Sequence, residues 1–182
     1  MKRYLKRFSQ AINQLNEQVG RAVSWLTAAL VLLICYDVFS RYALSRTAAW
    51  TMELEWHLFA LIFLFGAGYA LRHDRHVRVD LFYARFSPRE QALVNLLGGL
   101  LFLMPLCLVL ICASWHYAWM SYLIGEGSPD PGGLPARYLI KFSIVLAIGL
   151  LFLQGLASVI DAGLLLASSD PATTDDHPQK TS

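Results

Sequence analysis

Charge is scarce in this sequence. Only 15% of its 182 residues are Asp, Glu, Lys or Arg, where a soluble domain carries about a quarter. Proline is almost absent from the apolar stretches, where Pro105 stands alone. Cysteine is limited to Cys35, Cys107 and Cys112, all inside apolar stretches. An odd number with no Cys-x-x-Cys pair argues against a disulfide framework or a zinc site, and leaves small packing residues. Nucleotide-binding glycine loops, a metalloprotease helix and a Ser-His-Asp arrangement are also missing, so neither ATP hydrolysis nor any other enzymatic activity is expected. No cofactor or metal is called for. With a net charge of +2, no nucleic-acid partner is expected either.

What is present is hydrophobicity, at 56% of residues, gathered into four blocks. Each is long enough for a helix of about 20 residues to cross the hydrocarbon core. The blocks predict helices over about 22–42, 52–71, 91–117 and 139–166, in one membrane domain spanning 22–166. The fold class is therefore an all-α integral membrane protein. A cleavable signal peptide fits the first block poorly, because it ends in Tyr36-Asp37-Val38-Phe39-Ser40-Arg41-Tyr42 rather than a small-residue cleavage site. The tail, 167–182, is rich in Ser, Thr, Asp and Pro and is expected to be disordered.

Residues 1–21 carry an apolar stripe of Leu5, Phe8, Ile12, Leu15 and Val19 at steps of three and four, the period of one helix face. Lys2, Arg3, Lys6 and Arg7 crowd its start. This predicts an amphipathic helix lying in the interface and attracted by anionic membrane lipid. A second interfacial segment is expected between the second and third spans. It ends in Ser87-Pro88-Arg89-Glu90, a helix start with Ser as N-cap, Pro first and Glu third.

Orientation follows from the positive charges. Eleven Lys and Arg fall in the N-terminal segment, the 72–90 connection and the tail, against four on the other side. The richer side is read as cytoplasmic, with both termini there. A bacterial inner membrane fits this bias.

Asp37 and Arg41 lie four apart and can pair on one helix face. Glu53, Glu55 and His57 open the second span after Trp50. Asp37, Arg41, Glu53, His57 and Glu126 are the candidate interface or structural polar residues, with Asp37, Arg41 and Glu53 expected at one depth. His57 and His116 also permit a second reading, a bis-His haem site in the membrane anchor of a redox enzyme. A small autonomous channel is a third. Small residues Gly66-Ala67-Gly68 and Gly98-Gly99 suit close helix packing. Internal repeats and paired broken helices, usual in complete carriers, are missing.

Several stretches in order carry a resemblance. They are Phe39-Ser40-Arg41-Tyr42, Trp50 followed by Glu53-Leu54-Glu55, Gly66 to Arg72, and His76-Val77-Arg78-Val79-Asp80. Ser121, Glu126, Ser128, Gly133-Leu134-Pro135, Lys141 and Leu153-Gln154-Gly155 continue it. Together they resemble the small permease subunit of tripartite ATP-independent periplasmic (TRAP) transporters. The resemblance implies two protein partners: a large TRAP permease subunit that moves an organic anion with sodium, and a periplasmic substrate-binding protein that captures it. It further implies that this chain is a scaffold for the large subunit and part of the docking surface for the binding protein.

Overall fold

A computed structural model of the chain describes residues 2–73 and 86–168. The expected interfacial segment between the second and third spans, and the tail from residue 169, lie mostly or wholly outside these described residues.

Among the described residues the fold is all α, with four membrane-spanning helices. Helix α1 is Lys2–Ala43, α2 is Ala49–Arg72, α3 is Pro88–Gly98, α4 is Met104–Leu123 and α5 is Tyr138–Ser168. A π-helical turn, Gly99–Leu103, joins α3 to α4 as one long span. That turn sits just ahead of Pro105, which has no N–H to return to the carbonyl four residues earlier, a common cause of local helix distortion. Helix α3 starts where the sequence indicates. Ser87 Oγ accepts from the Glu90 N–H at 3.4 Å, and the Ser87 N–H donates to Glu90 Oε2 at 2.7 Å, a reciprocal capping box.

The N-terminal segment is helical, yet it is not a separate element. It runs into the first span without a break, giving 42 helical residues. At 1.5 Å per residue this is about 63 Å, twice the hydrocarbon thickness. No proline interrupts it, and Gly20 sits at a close crossing where the Tyr69 ring occupies the space a Cβ would need. The apolar stripe is also divided. Ile12 is buried in the fold beside Ser9 and Asn16, while Phe8 and Leu15 face outward. The protein-facing strip of α1 is thus more polar than the periodicity suggests.

Helix α5 is the spine. It packs against α1, α2, α3 and α4, whereas the α1–α2 pair and the α3–α4 span make no comparable contact with each other. The α4–α5 seam holds one antiparallel register from Tyr122 against Tyr138, with ring centroids 5.4 Å apart, to Trp115 against Phe142 at 5.9 Å. The same register continues at Gly99, where an added Cβ would meet Val159 Cγ2 at 2.6 Å. Small residues here let helices approach, which in lipid is a main source of association. The result is an open layer rather than a closed bundle. Only 6% of the most apolar window in each of the first three spans is buried within the protein, against 22% in α5.

Candidate functional site

The polar side chains collect at the two ends of this layer. At the end holding the loops, Asp37 is buried and accepts from Arg41 at 2.5 Å and from Thr51 Oγ1 at 2.8 Å. Thr51 also reaches Ala48 O at 2.7 Å, so the start of α2 is tied to the end of α1. The Arg41 side chain stays 45% exposed, as expected of a long cation whose head reaches toward water.

Glu53 does not join that pair. Its carboxylate accepts from Ser128 Oγ and, at 2.5 Å, from the Leu134 N–H. The separation has a simple cause. Residues two apart on a helix point to different sides, so Thr51 faces α1 and Glu53 faces the 124–137 loop. The expected cluster of Asp37, Arg41 and Glu53 is therefore two sites. His57, one turn beyond Glu53, places Nδ1 2.5 Å from the Glu53 carbonyl and stacks on Trp56.

The loop is held from α4 and α5 as well. Glu126 accepts from Ser121 Oγ at 2.6 Å and from Lys141 Nζ. Lys141 also lies over the Tyr117 ring, 3.9 Å from its centroid. Lys141 and then Ser121, both donating, hold the Glu126 carboxyl below the usual carboxylate range. Arg137 lies 5.4 Å over the Trp56 ring, and its N–H donates to Glu126 O at 2.9 Å. Gly133 is required at its position, since a Cβ there would run into Ser128 and Glu53 Oε2. The loop is thus pinned by the Glu53 carboxylate of α2 and by its own Glu126, which is held by Ser121 of α4 and Lys141 of α5, giving a preformed surface.

At the opposite end, Ser9 donates to Asp161 at 2.7 Å and Gln154 Nε2 donates to Asn13 Oδ1 at 2.7 Å. Arg72 reaches Glu17 at 2.6 Å and Asn13 O at 2.6 Å, and His73 lies 3.0 Å from Glu17. Asn16 is buried against Gly68, where any Cβ would overlap Asn16 Oδ1. Sequence reasoning singled out Gln154 but missed Asn13, Asn16, Thr51 and the Glu17–Arg72 pair. The available signal was polar residues recurring on one face of α1, a costly placement unless another helix answers it.

The haem reading loses its geometry. His57 and His116 stand on α2 and α4, which share no packed interface comparable to those with α5. His57 is engaged with its own helix, and His116 is exposed on the outer surface of the layer. Among the described residues, no three His, Cys, Asp or Glu side chains converge as metal ligands.

Comparison with known proteins agrees with this architecture. The small permease protein DctQ of a C4-dicarboxylate TRAP transporter from Vibrio cholerae serotype O1 is 21% identical over 120 residues, 66% of this chain. The match spans about half, 51%, of that relative's length. The family described as "Tripartite ATP-independent periplasmic transporters, DctQ component" matches residues 30–163, from within the first span through most of the last, and takes in Asp37, Arg41, Glu53 and the 124–137 loop. The chain belongs to this DctQ component family, and is a transporter component rather than an enzyme.

Proposed function

We propose that this chain is the small permease subunit of a sodium-driven TRAP transporter that imports an organic anion, with a carboxylate as the favoured class. In this reading it braces the large transporting subunit and contributes to the surface on which the periplasmic binding protein docks. The observation that carries the scaffold role is the open layer around α5. Four spans arranged this way present most of their apolar surface outward. A carrier acting alone needs paired helices closed around a mid-membrane site.

Docking is supported by the loop pinned through Glu53 and Glu126. A preordered surface loses less conformational entropy on binding than a floppy one. The charge bias supports a multi-pass bacterial inner-membrane placement with the loop outside and both termini cytoplasmic. The test is transport in proteoliposomes. Uptake is expected only when this chain, a large permease subunit, a binding protein and a sodium gradient are all present. Uptake by this chain alone contradicts the proposal.

A further inference from the structure

Gly66 and Gly68 are two apart on α2, so they point to different sides. Gly68 is buried against Asn16, whereas a Cβ at Gly66 would meet nothing within 4 Å. Gly66 is therefore a notch that no helix of this chain fills. Glu55 is unanswered in the same way. It stands one turn further into the span than Thr51, and its Oε1 is enclosed by the protein without a hydrogen-bond partner. Among the described residues no donor reaches its carboxyl. The other acidic groups at this end, Asp37, Glu53 and Glu126, each accept two hydrogen bonds.

Helical spacing puts these two features on one strip. Glu55, Phe59, Ile62, Gly66 and Ala70 follow at steps of four, three, four and four, which is one face of a helix. Phe59 on that face is 62% exposed. Helix α2 meets α1 through Thr51, Gly68 and Tyr69, which turn away from the open side of Gly66. In lipid, small residues on a helix face permit close approach of another helix, and an ionisable group inside a span is costly without a partner. One helix crossing this strip satisfies both.

We propose that this strip of α2 seats a helix of the large permease subunit, which crosses closest at Gly66 and sets a Lys or Arg against Glu55. The inference rests on the reading of this chain as a small permease subunit, and adds where the large subunit is held. Charge complementarity and the length of the strip select the occupant. A second copy of this chain, docked symmetrically, would bring two Glu55 carboxyls together. A lipid amine answers Glu55 alone and leaves the Gly66 notch, about 17 Å along the helix, unexplained. A cationic helix of a partner subunit accounts for both ends.

The test co-expresses the full chain with the tagged large permease subunit of the same transporter. The photoreactive residue benzoylphenylalanine replaces Phe59, membranes are irradiated, and the adducts are mapped by mass spectrometry. The expected adduct joins position 59 to a large-subunit helix that carries a Lys or Arg about one turn nearer the outer surface. Glu55→Lys should lower recovery of this chain on the tagged subunit several-fold, and changing that partner cation to Glu should restore it. Gly66→Leu should lower recovery likewise, while this chain alone keeps its size-exclusion profile. Adducts to lipid alone or to a second copy, with the complex recovered, overturn the proposal and leave the bracing role standing. Undiminished recovery of both variants, or no rescue by the charge exchange, does the same. Failure of the unsubstituted chain to co-purify with the large subunit overturns the small-permease reading itself, and this inference with it.

Discussion

Ser9 and Asp161, 152 positions apart in the chain, share a 2.7 Å hydrogen bond that fixes the start of the first helix to the end of the last. One turn along the first helix and two turns along the last, Asn13 and Gln154 repeat the link. Both termini of the four-span domain are thereby joined on one side, and the joint depends on polar groups rather than on apolar packing. Interhelical hydrogen bonds of this kind contribute roughly 0.6 kcal/mol each on average, so close steric fit must supply much of the remainder.

That fit can be probed at two glycines on the same helix. A methyl group at Gly68 would overlap Asn16, while one at Gly66 would meet nothing within 4 Å. Gly68→Ala is expected to destabilise the purified protein by about 1–3 kcal/mol, the usual range for overpacking. Gly66→Ala should be neutral or slightly stabilising, since alanine favours helix. Thermal unfolding of the two variants in detergent checks the contrast.

The Asp37–Arg41 pair predicts an asymmetric response. Removing Arg41 strands a buried carboxylate with only the Thr51 hydroxyl, whereas Asp37→Asn leaves a half-exposed guanidinium able to reach water. Arg41→Ala should therefore lower the yield of folded protein more than Asp37→Asn. The milder effect of Asp37→Asn comes from Arg41's own exposure, because Glu53 is committed to the loop. Size-exclusion profiles of both variants test the order. Intact protein with altered sodium dependence of uptake in Asp37→Asn would instead place Asp37 on an ion path.

Acid should loosen the loop through Glu126. Its carboxyl is held below the ordinary value of 4.5 by Lys141 and Ser121. A depressed folded-state pKa gives a contribution that is complete above the unfolded value. It is lost as pH falls below about 4.5 and through the folded pKa. Hydrogen exchange of residues 126–137, corrected for intrinsic rate, should show protection that is steady from neutral pH to the high fours and declines below. Glu126→Gln should weaken protection at neutral pH and remove this part of the acid response.

The charge bias predicts sidedness. In a cysteine-free background, Asp130→Cys in intact cells should react with an impermeant maleimide, and Arg89→Cys should react only after permeabilisation. Both residues are exposed, so reversed labelling would invert the orientation.

The four spans were legible because apolar runs of bilayer length carry a strong signal. The start of α3 was equally plain, since Ser87, Pro88 and Glu90 encode their own capping box. The direction of a polar side chain was harder to read. Glu53 and Thr51 are near neighbours in sequence, yet face different partners. The N-terminal stripe gave the helix but not its continuity, because no local residue announces that a helix passes through position 21 unbroken. Gln154 was visible as a polar residue in an apolar helix. Its partner Asn13 was not, because the contact depends on the register of two helices far apart in the chain.

In the proposed role this chain braces a transporter without forming the substrate path itself. Solute uptake into proteoliposomes, with components added one at a time, tests it most directly. No uptake above the empty-vesicle level is expected with this chain alone. Sodium-dependent uptake should appear when a large permease subunit and a loaded binding protein are added, and be lost when this chain is withheld. Undiminished uptake by the large subunit and binding protein without this chain would contradict it.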